Sequence, residues 1–354
     1  MVTPTTIPPQ VSLTVYSVVW PFTEALMRQC LVEETEQMLS RHRRAFTKHQ
    51  DPLHDGFFEA WKTFAQPCVK GLAQFPERYP TAGSSEAIRE IIRQACARQQ
   101  ALVVFDGEYE GYEALASHQG TQIIRVNRAQ WQETLAKWCA QGVPWGPGGA
   151  QWWISQPSAI DGNAWPDFQA WLDEVVELPG CQVWVDLCYV GSAQLSTPIV
   201  LPDHPALAGV VFSLSKVMGA YYRRIGGCLS REEIPGLWGN RWFKNIDSLY
   251  LGQRWMEQAG TAQEVAAATH AYQTAAMPLA LSALGGADLW ERHGVIWTAS
   301  DVPLLMHALP QGSPPPGWEG LWQAMLRGRD APASLRLCLT PSIEALIQEH
   351  GHVA

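Results

Sequence analysis

Short apolar runs recurring between stretches of helical periodicity constrain this chain more than any other feature. They are Ala101–Phe105 (ALVVF), Gln122–Val126 (QIIRV), Gln151–Ser155 (QWWIS), Cys181–Asp186 (CQVWVD) and Ala208–Ser213 (AGVVFS). Apolar residues stand at consecutive positions in them, as in strands buried on both faces. Between them lie helical stretches: Glu86–Arg98, with Ile88, Ile91, Ile92 and Ala95 on one face, then Tyr112–His118, Trp131–Gln141 and Trp165–Glu177. Strand and helix in alternation predict an α/β fold whose mostly parallel, doubly wound sheet carries helices on both faces.

Outside this region the pattern changes. Thr3–Gln10 reads as an extended arm, and Phe22–His49 carries helical spacing at Leu26, Cys30, Leu31, Met38 and Leu39. Asp247–Leu284 is largely helical. A strand at Gly294–Ala299, helices at Pro303–Leu309 and Trp318–Arg327, a strand at Leu335–Leu339 and a helix at Ser342–His350 then predict a smaller α+β domain. The division expected is a large domain over 45–260, with 1–44 (including the N-terminal arm) and 261–354 making the small one.

Composition narrows the partners. A net charge of −9 argues against a basic nucleic-acid face. No segment approaches the roughly 18 uncharged apolar residues of a membrane helix. The start, MVTPTTIPPQVSLTVY, lacks a basic region ahead of an apolar run, so no signal peptide is read there. Eight cysteines without CxxC spacing and ten dispersed histidines predict no metal site and fit a reducing cytoplasm. Seventeen tryptophans are expected to fill core and interface.

Chemistry concentrates in Val210–Gly227, VVFSLSKVMGAYYRRIGG. Lys216 follows an apolar strand directly, between serines and a glycine-rich turn, although lysine is rarely buried without a partner. A pyridoxal 5'-phosphate (PLP) enzyme needs such a lysine, to form an imine with the cofactor aldehyde and then to carry protons. Ser213 and Arg224 flank it at positions suited to a phosphate, Arg224 offering a bidentate fork. Asp186 ends an otherwise uncharged strand, where side chains of an open α/β sheet face the ligand crevice. It could pair with the pyridinium nitrogen, and Tyr189 with the ring hydroxyl. Gly83-Ser84-Ser85-Glu86 opens a helix and offers a phosphate cradle. Tyr109, just past a strand end, could stack on the ring.

Taken together and in this order, these residues resemble the fold-type I PLP enzymes, the aspartate-aminotransferase-like proteins of aminotransferase class I/II. The resemblance runs over Arg78–Arg231 and continues less distinctly to the end. It implies Ser84, Ser85, Ser213 and Arg224 on the phosphate, Tyr109 on the ring face, Asp186 at the ring nitrogen, Tyr189 at the ring oxygen and Lys216 as the Schiff base. It implies Arg336, in Leu335-Arg336-Leu-Cys-Leu-Thr340, on the substrate α-carboxylate. It also implies a homodimer with sites at the subunit interface. Trp238–Asn245 reads as part of that interface, with Ser248 or Tyr250 reaching the partner's site. The activity implied is an aminotransferase acting on a small amino acid. Elimination with cyclisation (as in capreomycidine-synthase-like relatives), decarboxylation, oxidation and a non-catalytic binding role are the alternatives. One departure stands out. Where the family carries an asparagine that bonds the ring oxygen, this chain reads Ser155-Gln-Pro-Ser-Ala-Ile-Asp-Gly-Asn163, and Gln156 or Asn163 is the expected substitute.

Overall fold

The computed structural model describes residues 18–33, 40, 51–242, 245–329 and 333–350. The Thr3–Gln10 arm and the second half of the Phe22–His49 helix lie outside them; its first half is a helix at Pro21–Glu33.

Seven strands form the main sheet: β1 (Glu77–Thr81), β2 (Ala101–Phe105), β3 (Ile123–Val126), β4 (Ala150–Ser155), β5 (Cys181–Asp186), β6 (Leu207–Ser213) and β7 (Gly226–Ser230). Their spatial order is β1-β7-β6-β5-β4-β2-β3. The ladders β6-β5, β5-β4, β4-β2 and β2-β3 are parallel, and β7 is antiparallel to both β1 and β6. The order reverses where β2 meets β4, so a crevice is expected beyond the C-terminal ends of these strands.

Alternate residues of each strand feed two cores. Val103, Phe105, Trp152, Ile154, Val183, Val185, Val210 and Phe212 face one side with the helix Asp51–Ala65. Leu102, Val104, Trp153, Trp184 and Val211 face the other, against Ile88, Ile91 and Ile92 of the helix Ser84–Ala97. The tryptophans fill both layers. Trp153 stacks on Trp184 at 5.6 Å, and Trp61 on Phe212 at 4.1 Å with the planes 4° apart. Such pairs contribute about 0.5–1.5 kcal/mol beyond the area they bury.

The helical stretch after Asp247 is two helices, Ile246–Ala259 and Ala262–Ala283. Gly260, at φ +84°, breaks the run, and Thr261 with Glu264 restarts it as a capping box. The small sheet is antiparallel, in the order β8 (Thr298–Ala299), β9 (Leu305–Ala308), β11 (Ser334–Cys338), β10 (Leu326–Arg327). The helix expected at Pro303–Leu309 is therefore wrong. Leu305–Ala308 pairs along β11, which buries its apolar side chains as a strand.

Candidate active site

Each strand that ends at the crevice delivers a polar group there. β4 and β5 end in register on Ser155 and Asp186. β6 ends on Ser213, and the chain turns into the short helix Leu214–Val217 that carries Lys216. The stretch after β1 turns at Gly83 into the helix Ser84–Ala97, and the stretch after β2 supplies Glu108 and Tyr109. From the small sheet, β11 contributes Arg336.

Of the residues singled out in the sequence, Ser84, Ser85, Tyr109, Asp186, Tyr189, Lys216 and Arg336 line one cleft. Its atom-free volume, open mouth included, is about 490 Å³. The Lys216 ammonium lies 6.0 Å from the centre of the Tyr189 ring. Arg336 is only 3% exposed. Three further residues share the wall: Ser155, Ala159 and Cys188.

Ser213 and Arg224 stand behind this wall. The Arg224 guanidinium donates to Ala82 O at 3.0 Å, Ser85 Oγ at 3.4 Å and Ser215 Oγ at 3.5 Å. Ser213 Oγ donates to Ser215 Oγ at 2.8 Å and accepts from the Ser215 N–H at 3.1 Å. A guanidinium, three hydroxyls and a helix N-terminus thus share one corner. Gly83 permits the approach: its φ is +70°, and a Cβ there would meet Arg224 Nη2 at 2.5 Å. The corner has the charge and donors to hold a phosphate dianion.

Asp186 is buried, and both oxygens are held. Oδ2 accepts from the Tyr112 hydroxyl at 2.9 Å, and Oδ1 accepts from the Cys188 N–H at 2.9 Å. Burial raises its carboxyl above the ordinary range, while these bonds and the charge of Lys216 pull it back. Burial and the Asp186 charge push the Tyr112 phenol well up, so Tyr112 remains a neutral donor. The Cys188 thiol, also raised well above its ordinary value by burial, donates to Ser84 Oγ at 2.9 Å.

Gln156 and Asn163 do not replace the missing asparagine. Gln156 closes on Trp165, accepting from its N–H at 3.1 Å and donating to its carbonyl at 3.3 Å. Asn163 accepts from the Asp301 N–H at 3.0 Å and meets His307 Nε2 at 3.3 Å. Ala159 and Ser155 face the cleft in their stead. Ser248 and Tyr250 are likewise buried within their own chain, with Ser248 Oγ donating to Arg223 O at 3.3 Å, so neither presents a side chain for a partner. Trp238 and Trp242 are exposed, whereas Phe243 and Lys244 lie outside the described residues.

No known sequence family and no curated protein matches the chain. Solved structures do. MppP soaked with its product 2-ketoarginine superposes at a TM-score of 0.64, with 13% identity over 94% of this chain and 96% of that one. Kynurenine aminotransferase of Pyrococcus horikoshii gives 0.63, with 14% identity over 94% and 88%. Histidinol-phosphate aminotransferase of Sinorhizobium meliloti, bound to pyridoxal-5'-phosphate, gives 0.57, with 15% identity over 98% of both chains. The fold is that of the fold-type I PLP enzymes. Within a fold-type I scaffold the cleft occupies the crevice at the strand ends, and what it can do is decided by the residues in it.

Proposed function

We propose that this chain is a PLP-dependent enzyme that reworks a small amino acid, most simply as an aminotransferase. The observation that carries the reading is one cleft lined by Lys216 and the buried carboxyl of Asp186, with Arg224 bonded to Ser85 of its wall from behind. A phosphate at that corner, a ring between Tyr109 and Cys188, and an aldehyde at Lys216 are what these residues fit. PLP, when bound, supplies an aldehyde for the amino group and a ring that stores electrons.

The protein's own residues do the rest. Lys216 Nζ holds the cofactor and then moves the proton at the substrate Cα. Asp186, kept in place by Tyr112 and Cys188, holds a proton at the ring nitrogen. Tyr189 bonds the ring oxygen, and Ser84, Ser85 and Ser213 join Arg224 on the phosphate. Arg336 grips the α-carboxylate through its planar fork.

A second reaction on the same residues, namely elimination with cyclisation, decarboxylation or oxidation, is favoured by one feature. The wall carries Ser155 and Ala159 but neither of the expected amides, Gln156 or Asn163, which alters the tuning of the ring oxygen. The likeness to MppP leaves both readings open, because 2-ketoarginine is what removal of the amino group from arginine leaves, by transfer or by oxidation. A purely non-catalytic role does not account for Lys216, Asp186 and Arg224 together.

The remaining expectations belong to this reading: a large domain over 45–260, a small one from 1–44 and 261–354, a cytoplasmic setting, and a homodimer. Exposed Tyr222, Trp238 and Trp242 offer a partner an aromatic surface. Among the described residues no helix is long and apolar enough to cross a membrane.

Borohydride reduction of the PLP-loaded protein, followed by peptide mapping, should place the label on Lys216. A label on another lysine, or none, overturns the reading. An amino-acid panel with mass identification of products then separates transfer from the alternatives.

A further inference from the structure

Glu108 is a buried carboxyl group for which the reading above has no use. It stands in the turn after β2, which ends at Phe105, is 8% exposed, and is held on both oxygens. Oε2 accepts from Ser155 Oγ at 2.7 Å and from the Tyr109 N–H at 3.2 Å; Oε1 accepts from the Ser155 N–H at 3.3 Å. Ser155 lines the cofactor cleft, whereas Glu108 lines a second cleft on the other side of the wall, beside the exposed Arg329. The hydrogen bond between them therefore spans the wall.

The donor count of Ser155 Oγ gives this bond a consequence. Its single proton goes to Glu108, and one lone pair accepts the Ala159 N–H at 2.6 Å. Only a lone pair is left to offer the cleft, so with Glu108 ionised Ser155 can accept there and cannot donate. If Glu108 gains a proton, its O–H donates to Ser155 Oγ, and the serine proton turns toward the cleft. One O–H bond forms, on Glu108, and one bond to hydrogen breaks, on the hydronium ion or buffer acid that delivers the proton through the outer cleft. The serine O–H only rotates.

We propose that Glu108 is a positioning residue that takes up a proton when an anionic oxygen binds beside Ser155, converting Ser155 from acceptor to donor. The inference rests on the PLP reading only for the identity of that ligand, whose ring oxygen is such a group. Charge around Glu108 allows the exchange. Burial pushes its carboxyl up to about 7, against the pull of the Ser155 and Tyr109 bonds and of Arg128. Arg128 is itself engaged by Ser158 Oγ at 2.9 Å and Asp161 at 2.5 Å. Toward the inner cleft the facing groups are Tyr112, with Asp186 behind it, and Lys216 and Arg336. The outer cleft carries Asp106, Glu110 and Glu113 against Arg125, Arg327 and Arg329, three charges of each sign.

Two measurements test this. Carbon-13 NMR of the ligand-free protein, labelled at glutamate carboxyls, should show one group titrating near neutrality. That group should vanish in Glu108→Gln and move in Ser155→Ala. Calorimetry of PLP binding to the ligand-free protein at about pH 8, in buffers of different ionisation enthalpy, should then show roughly one proton fewer taken up by Glu108→Gln than by the natural chain. Glutamine, with its nitrogen in place of Oε2, can donate to Ser155 at the loss of the bond from the Tyr109 N–H, so PLP binding should remain measurable in that variant while the proton count drops. Equal proton counts with normal binding overturn the inference and leave the PLP reading intact. If PLP does not bind the natural chain, the PLP reading fails, and the NMR titration alone decides whether Glu108 holds a proton against Ser155. A Glu108 that titrates like an exposed carboxylate ends the proposal in either case.

Discussion

Substituting Gly83 by alanine tests the phosphate corner at its tightest point. The residue has φ +70° and ψ 176°, a backbone region that is nearly exclusive to glycine. Holding alanine there costs about 1–3 kcal/mol. The new methyl would also stand 2.5 Å from Arg224 Nη2 and 3.0 Å from its central carbon. The guanidinium must then leave Ala82 O and Ser85 Oγ, and with them the position from which it would meet a phosphate. Losing one charge-assisted contact of this kind is worth about 1.5–3 kcal/mol, a PLP affinity weaker by roughly ten- to 150-fold. Titration of the ligand-free protein with PLP, followed by absorbance, reads this directly. Gly120→Ala is the control. Its φ is +69°, yet nothing lies within 4 Å of the added carbon, so it carries backbone strain without touching the cleft. It should lower the melting temperature and leave PLP affinity unchanged. If Gly83→Ala binds PLP within about twofold of the natural chain, Arg224 is not a phosphate ligand.

Two other outcomes follow from the same geometry. Tyr112→Phe strips a donor from the buried Asp186 carboxylate and should cost about 1.5–3 kcal/mol at neutral pH. The Asp186 carboxyl already lies above its ordinary value in the folded protein, and losing this bond raises it further. A carboxyl raised by folding favours the folded state at low pH, and that advantage is lost as pH rises through its folded value. The deficit of Tyr112→Phe should therefore shrink on acidification, and a deficit independent of pH in urea unfolding would show that Asp186 is not the group affected. Arg336→Lys keeps the charge but loses the planar fork, so the amino-acid KM should rise by roughly tenfold or more while PLP affinity holds. An unchanged KM would place the carboxylate elsewhere.

The central strands were legible because both faces of β2, β4, β5 and β6 are buried, which leaves continuous apolar runs. The flanking pair was not. β1 (ERYPT) and β7 (GGCLS) carry proline, charge or glycine and owe their place to pairing with each other and with β6. Leu305–Ala308 shows the opposite failure: a short apolar stretch has no period that separates strand from helix, and only β11 alongside decides it. Cleft-lining residues could be singled out where they end a readable strand, as Asp186 does, or follow one within a few positions, as Lys216 does after Ser213. Glu108 was overlooked although its position carried a hint, a carboxylate in the turn directly after the wholly apolar β2. Its meaning depends on Ser155, 47 positions away, and no local pattern links them.

The absence of Asn163 from the cleft wall has a structural cause that ties the two sheets together. The segment after β4, residues 156–163, is where the small sheet is seated. Asn163 Oδ1 accepts from the Asp301 N–H, Ser300 Oγ donates to Asp161 O at 2.5 Å, and the Val302 N–H donates to Gly162 O at 3.0 Å. The Ala164 N–H returns a bond to Asp301 Oδ2 at 2.8 Å. Gly162, at φ +79°, has no room for a side chain, since a Cβ would stand 2.8 Å from Leu305 and 2.9 Å from Ser300. Leu305 opens β9, and β9 pairs His307 with Arg336 on β11. The contacts that occupy Asn163 therefore carry Arg336 to its place in the cleft wall. An amide freed to face the cleft from position 163 would loosen the seat of the residue expected to grip the substrate, so at this point the chain cannot serve both ends with one side chain. The polar side chain that this stretch does turn to the cleft is Ser155, at the end of a strand fixed in register with Asp186.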